Sequence, residues 1–266
     1  MKRDLYFSKP LMNAAGSLGF APDARQGVSL DSFGAFVTNP FSLRPRQPAA
    51  QPAVIEYPGG FLLHTGLPNP GFKSGIKRYA SRWDKSDVPV IVHLMADRPE
   101  ETQRMVQMLE THENVMAAEL GFAPLLAGDI ILLTLEMCLG ELPLIFSLPV
   151  EQVLSLGPRL IQDGAQAISI SAPRGALPRF VSVAQTATLL SAKGNEELIT
   201  GRLYGPSLFP RALETVYSAA KLGLPIIGAG GVWTRDNAEA MLTAGALAVQ
   251  VDAALWGVSW LNQSSI

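Results

Sequence analysis

The sequence predicts an α/β fold, a single-domain (β/α)8 barrel of the TIM type spanning residues 1–266, and three observations predict it. The length, 266 residues, is close to the roughly 250 residues typical of one such barrel. Eight short apolar runs alternate with longer stretches of helical spacing, the pattern that a parallel sheet with crossover helices requires. Glycines stand where helices must stop and turn into the next strand.

The predicted strands are Leu11 to Ala15, Ala35 to Asn39, Val90 to Met95, Val115 to Leu120, Leu144 to Leu148, Ala167 to Ser171, Ile226 to Gly228 and Ala248 to Val251. The stretch from Ile130 to Val150 reads as a buried helix followed by a buried strand. Glu136, Glu141, Pro143 and Pro149 interrupt it, so it does not offer the ~20 clean apolar residues of a membrane span. Asp97 and Glu101 mark the start of a helix running through His112, and Thr234 caps a helix ending at Ala244-Gly245. Gly164, Gly223 and Gly245 form three similar helix-to-strand joints. Two long segments, 42–71 and 173–203, show no periodicity and read as walls of a site.

Composition excludes several functions. The formal charge of -2, with no cluster of Lys and Arg, argues against nucleic-acid partners. The single cysteine, Cys138, allows no internal disulfide and no paired-cysteine metal site. Lys2 and Arg3 are followed by no apolar signal core. A cytoplasmic protein without a membrane or metal is expected.

In a barrel the residues following each strand converge on one face. Here they are Ala15-Gly16-Ser17, Asn39, His93 to Ala96, Gly121, Ser147, Ser171-Ala172, Gly230-Gly231 and Asp252. No lysine ends a strand, which argues against Schiff-base chemistry. The turn Gly228-Ala229-Gly230-Gly231 before a helix could cradle a phosphate on its backbone N–H groups. A tight turn without ligand explains it equally well.

The order of motifs resembles the dihydroorotate dehydrogenase family, particularly its soluble class 1 members. The resemblance rests on Asn13-Ala14-Ala15-Gly16-Ser17, Phe33 to Thr38 and Leu43-Arg44-Pro45-Arg46. Pro58-Gly59-Gly60, Gly66 to Gly71, Gly205-Pro206, Pro225 to Gly231 and Ala248 to Val251 continue it. It implies a flavoprotein oxidoreductase of pyrimidine biosynthesis, with FMN on the top face and dihydroorotate oxidised there. It further implies FMN contacts at Ala15, Gly16, Ser17, Asn39, Gly205, Gly230 and Gly231, a substrate contact at Asn69, and homodimers.

The departures from the family pattern fall on polar site residues. Asn39 stands where the family has lysine, Leu63 replaces the first asparagine of its substrate loop, and Ser147 replaces a second lysine. The loop carrying the family's cysteine base reads Gly121-Phe122-Ala123-Pro124-Leu125 and is shortened. Ala172, Tyr204 and Asp252 replace an asparagine, a serine and a glycine. A carboxylate about 4 Å from a phosphate costs on the order of 4 kcal/mol at an effective dielectric of about 20.

Two readings of function follow. One is a divergent homologue, a pseudoenzyme towards dihydroorotate that serves as a ligand-binding or partner subunit. The other is an FMN-dependent oxidoreductase using non-standard residues, with His64 or Tyr204 as acid-base group and Arg44 or Arg174 anchoring an anion. Ordinary dihydroorotate dehydrogenase activity is disfavoured by the shortened loop after Leu120. His93 and His112 read as structural, and Leu255 to Leu261 as a terminal helix docked on the barrel.

Overall fold

A computed structural model describes residues 3–23, 28–179 and 197–257. In chain order the strands begin with β1 (Leu11–Asn13), β2 (Phe33–Val37), β3 (Ala53–Tyr57), β4 (Gly60–His64), β5 (Val90–Met95) and β6 (Val115–Gly121). They continue as β7 (Leu144–Leu148), β8 (Ala167–Ile170), β9 (Arg174–Arg179), β10 (Glu197–Tyr204), β11 (Ile226–Gly228) and β12 (Ala248–Val251). The helices are α1 (Phe72–Asp84), α2 (Pro99–Leu109), α3 (Gly128–Cys138), α4 (Val150–Gln162), α5 (Phe209–Lys221) and α6 (Arg235–Thr243).

Eight parallel strands close a barrel in the order β1, β12, β11, β8, β7, β6, β5, β2. Each overlaps one of the eight apolar runs of the sequence, with ends shifted by up to two residues, as where β2 is Phe33–Val37 and Ala35 to Asn39 was expected. Because side chains alternate along a strand, each strand sends every second residue into the barrel. Met12, Ala35, Ile91, Ala117, Ile145, Ala167, Ile227 and Ala248 fill the lower interior and are shielded from solvent. The outward-facing residues, among them Phe36, Val92, Leu120, Phe146 and Ile168, pack under the helices as a second and larger core.

The glycine joints do what their positions suggest. Gly164, Gly223 and Gly245 have φ of 117°, 71° and 106°, the left-handed conformation that ends a helix without a Cβ penalty. Thr234 caps α6 through a reciprocal box with Asn237. Asp97 does not cap α2. Its Oδ1 accepts a 2.8 Å hydrogen bond from the Ala123 N–H and so ties the loop after β6 to the loop after β5.

The two segments without periodicity are not irregular throughout. The first carries the hairpin β3–β4, and the second begins with β9 and ends with β10. The four strands form one antiparallel sheet in the order β3, β4, β10, β9. β10 pairs with β4 from Arg202–Leu63 to Tyr204–Phe61, so two insertions distant in sequence build one roof. Its small core is Ala53, Leu62 and Ile199. Arg174, offered above as an anion anchor within a segment without periodicity, lies on β9 opposite Arg202. Among the described residues no helix is long and apolar enough to cross a membrane. Of the expected terminal helix, Ala253–Trp256 forms a short 3-10 turn, and Val258, Trp260 and Leu261 lie outside the described residues.

Candidate functional site

Two residues above the apolar floor, the inward positions turn polar: His93 on β5, Glu119 on β6, Ser147 on β7, Ser169 on β8 and Gln250 on β12, all buried. His93 and Glu119 are register partners on neighbouring strands, and His93 Nδ1 lies 2.7 Å from Glu119 Oε2. The other carboxylate oxygen accepts hydrogen bonds from Ser169 Oγ at 2.6 Å and Gln250 Nε2 at 2.7 Å. Burial pushes the Glu119 carboxyl up, but the hydrogen bond and charge of His93, with the bonds from Ser169 and Gln250, outweigh it and hold the group below the ordinary carboxylate range. A buried charge is tolerated when it is paired and its lone pairs are filled.

This layer floors a cavity of about 50 Å³ at the C-terminal end of the strands. Its upper wall is the roof strand β10, through Arg202, Leu203 and Tyr204, and Ala15, Gly230 and Asp252 complete the rim. Arg202 makes no ion pair with a described residue. Tyr204 is stacked on Phe61 at 5.5 Å and lies near Trp256 at 6.0 Å. Burial raises its phenol above the ordinary value, partly opposed by the charge and hydrogen bond of Arg202. Asp252 is 8% exposed, and its Oδ1 accepts the Ala253 N–H at 2.6 Å. Burial raises its carboxyl to about 6 against the backbone hydrogen bonds that favour the charged form.

Of the residues expected to contact cofactor or substrate or to act as acid-base group, Ala15, Tyr204 and Gly230 line this cavity, as do the strand-end residues His93, Ser147, Ser171, Ala172 and Asp252. The others have different surroundings. Asn39 Oδ1 accepts the Gly19 N–H at 3.1 Å, so its amide closes the loop after β1. Ser17 Oγ donates to the Ala14 carbonyl at 2.6 Å. Gly16, at φ 94°, has open space where a side chain would stand. A Cβ on Gly205 would meet Gly59 O at 2.3 Å, and one on Gly231 would meet Phe209 N at 2.3 Å, so close backbone packing alone requires both glycines.

Asn69 holds its own loop together, accepting the Gly71 N–H at 3.0 Å and donating to Ser42 Oγ at 3.0 Å. His64 ends β4 opposite Ala53, away from the cavity. Arg44 lines an outer cleft with Lys73 and Arg104, and Arg46 Nε donates to the Gly66 carbonyl. His112 lies 3.7 Å from Asp84 and edge-on to Trp83. Sequence reasoning missed Glu119 altogether. The available signal was a charged residue inside an apolar strand, two positions after a core alanine.

The fold and the cavity define a class, a (β/α)8 barrel with a polar site on its C-terminal face beneath an inserted sheet. A family model described as Dihydroorotate dehydrogenase matches residues 3–122 and 158–263. Among similar proteins is the catalytic subunit of Dihydroorotate dehydrogenase B (NAD(+)) from Pelobacter propionicus, 30% identical over 265 residues, covering 94% of this chain and 84% of the relative. The subunits of that name from Trichlorobacter lovleyi and Pyrococcus furiosus are 30% and 29% identical, each at 94% and 84% coverage. The chain belongs to the dihydroorotate dehydrogenase family. The stretch between the two matched segments, 123–157, carries the loop after β6, α3 and β7.

Proposed function

We propose that this chain is a divergent family barrel that holds a small-molecule ligand at its top face and does not carry out classical flavin-dependent dihydroorotate oxidation. The cavity carries this reading. Its volume of about 50 Å³ is far below the roughly 300–1,000 Å³ of ordinary ligand pockets. Among the described residues its lining offers one cation, Arg202, against the carboxyls of Glu119 and Asp252, and neither lysine nor cysteine. The residues present therefore do not fit FMN. Asp252 itself takes the Ala253 N–H, in the region where the resemblance places the phosphate, and Gly205 and Gly231 are explained by packing.

Among the described residues no group around the cavity matches the family's cysteine base. Cys138 closes α3, is buried, and has its thiol pushed up to about 12 by burial, so it offers no thiolate nucleophile. The second reading, an FMN-dependent oxidoreductase with non-standard residues, is favoured by Tyr204 and Gly230 on the cavity wall. A visible absorbance spectrum of freshly purified protein, repeated after excess FMN and removal of the unbound fraction, separates the two. A colourless protein that retains no FMN is expected, and near-stoichiometric flavin bands overturn the proposal. The proposal extends to a cytoplasmic protein that forms a homodimer or joins a partner subunit, which sizing chromatography tests.

A further inference from the structure

We propose that the Glu119–His93 pair, together with Ser147 and Arg202, forms a binding site for a small planar oxyanion of the size of acetate or nitrate. This deepens the reading above and rests on it, since the same cavity cannot also hold a flavin ring. The starting point is two buried polar groups that the fold leaves unused. His93 is 5% exposed and lines the cavity. Its Nδ1 is committed to Glu119, and its Nε2 has no hydrogen-bond partner among the described residues.

The ring is turned by design of the neighbouring strand. A Cβ on Gly121 would stand 2.4 Å from Nε2, so only glycine at this place on β6 lets the imidazole lie where it does. Gly121 is the register partner of Ser147, whose side chain is likewise buried and unpartnered among the described residues and faces the same cavity. A buried polar group without a partner is costly to leave unsatisfied, and two such groups facing one space are explained by a ligand that satisfies both.

Charge and size select the ligand. Glu119 already accepts three hydrogen bonds, so it holds the His93 ring rather than the ligand. A hydrogen on His93 Nε2, the Ser147 hydroxyl and the Arg202 guanidinium are the donors such a ligand would take, and Arg202 adds a positive charge without a carboxylate partner among the described residues. At roughly 10–15 Å³ per water position, a cavity of about 50 Å³ takes about three to five heavy atoms. The groups of opposite tendency facing the site are the Glu119 carboxylate, whose charge is taken up by its bonds to His93, Ser169 and Gln250, Asp252, which repels an anion when ionised, and the Tyr204 phenol, neutral because burial raises it.

The test follows the His93 imidazole nitrogens by NMR in the intact protein during titration with sodium acetate and sodium nitrate, at about pH 5.5, where the Asp252 carboxyl, raised to about 6, is mostly protonated. A saturable shift of the His93 resonances, with those of His64 and His112 unmoved, is expected at a Kd of about 1 mM for four heavy atoms. His93→Gln weakens binding about tenfold or more. Ser147→Ala, which leaves the Glu119–His93 pair intact, weakens it by about threefold or more and guards against a misfolded His93 variant. No His93 shift at roughly a hundred times that concentration, or binding unaltered by Ser147→Ala, overturns the site. Flavin bands in the same sample overturn the functional reading first, whereas a colourless protein with no His93 shift overturns this inference alone.

Discussion

Replacing Asp252 by asparagine isolates the cost of burying a carboxyl at the mouth of the barrel. Burial raises its carboxyl from 3.8 to about 6, although the backbone N–H groups of Ala253 and Asp252 pull it down. The folded value lies above the unfolded one. Between about pH 4 and pH 6 the native state therefore keeps a proton that the unfolded chain has released, and stability falls as pH rises through that window. A difference of about 2 units at about 1.4 kcal/mol each makes the full penalty about 3 kcal/mol above pH 6. Asparagine keeps an oxygen for the Ala253 N–H and carries no charge, so the variant escapes it. For a chain of this size the gain corresponds to about 5 °C in Tm. Urea denaturation of parent and variant across pH 4 to pH 7.5 should give curves that coincide at the acid end and separate by about 3 kcal/mol at the neutral end. A variant less stable than the parent at pH 7.5, or a difference independent of pH, refutes the reasoning.

Three further outcomes are expected. Glu119→Ala strands His93, Ser169 and Gln250 and should cost about 3–5 kcal/mol in urea denaturation at neutral pH. Because the Glu119 carboxyl is held below 4.5, its contribution is present above that value and lost as pH falls beneath it, the opposite slope to Asp252. A variant as stable as the parent at neutral pH defeats this account of the network. Gly231→Ala meets Phe209 N at 2.3 Å and φ 69° together, and should cost more than about 2 kcal/mol. Gly16→Ala, at φ 94° with nothing within 4 Å, should cost only the ~1–2 kcal/mol of backbone strain. Equal losses in thermal melts contradict the distinction. Cys138 should resist a thiol reagent at mildly alkaline pH and react in denaturant, since burial raises its thiol to about 12. Rapid labelling of the native protein counts against its burial.

The eight barrel strands were legible because each is a short apolar run bounded by turn residues, and burial on both faces of a parallel strand leaves that mark directly in the sequence. Gly164, Gly223 and Gly245 were legible for the same local reason, a backbone requirement that one residue type meets. Family membership was legible because ordered motifs of glycine and proline encode turns. The departures from the expected family pattern were visible one position at a time.

What those residues do was decided by packing between elements far apart in the chain. Asn39 and Asn69 look like ligand contacts by position and also tie neighbouring loops together, and Gly205 and Gly231 stand where a Cβ would meet backbone, contacts that the sequence does not show. The roof could not be read from either insertion, because β4 finds its partner β10 more than a hundred residues later. His93 and Glu119 became a site only when the register of β5 and β6 set them side by side and Gly121 made room for the ring. A sequence specifies which residues a strand turns inward through its period of two. Which of those inward groups meet, and which is left facing the cavity, depends on closure of the barrel.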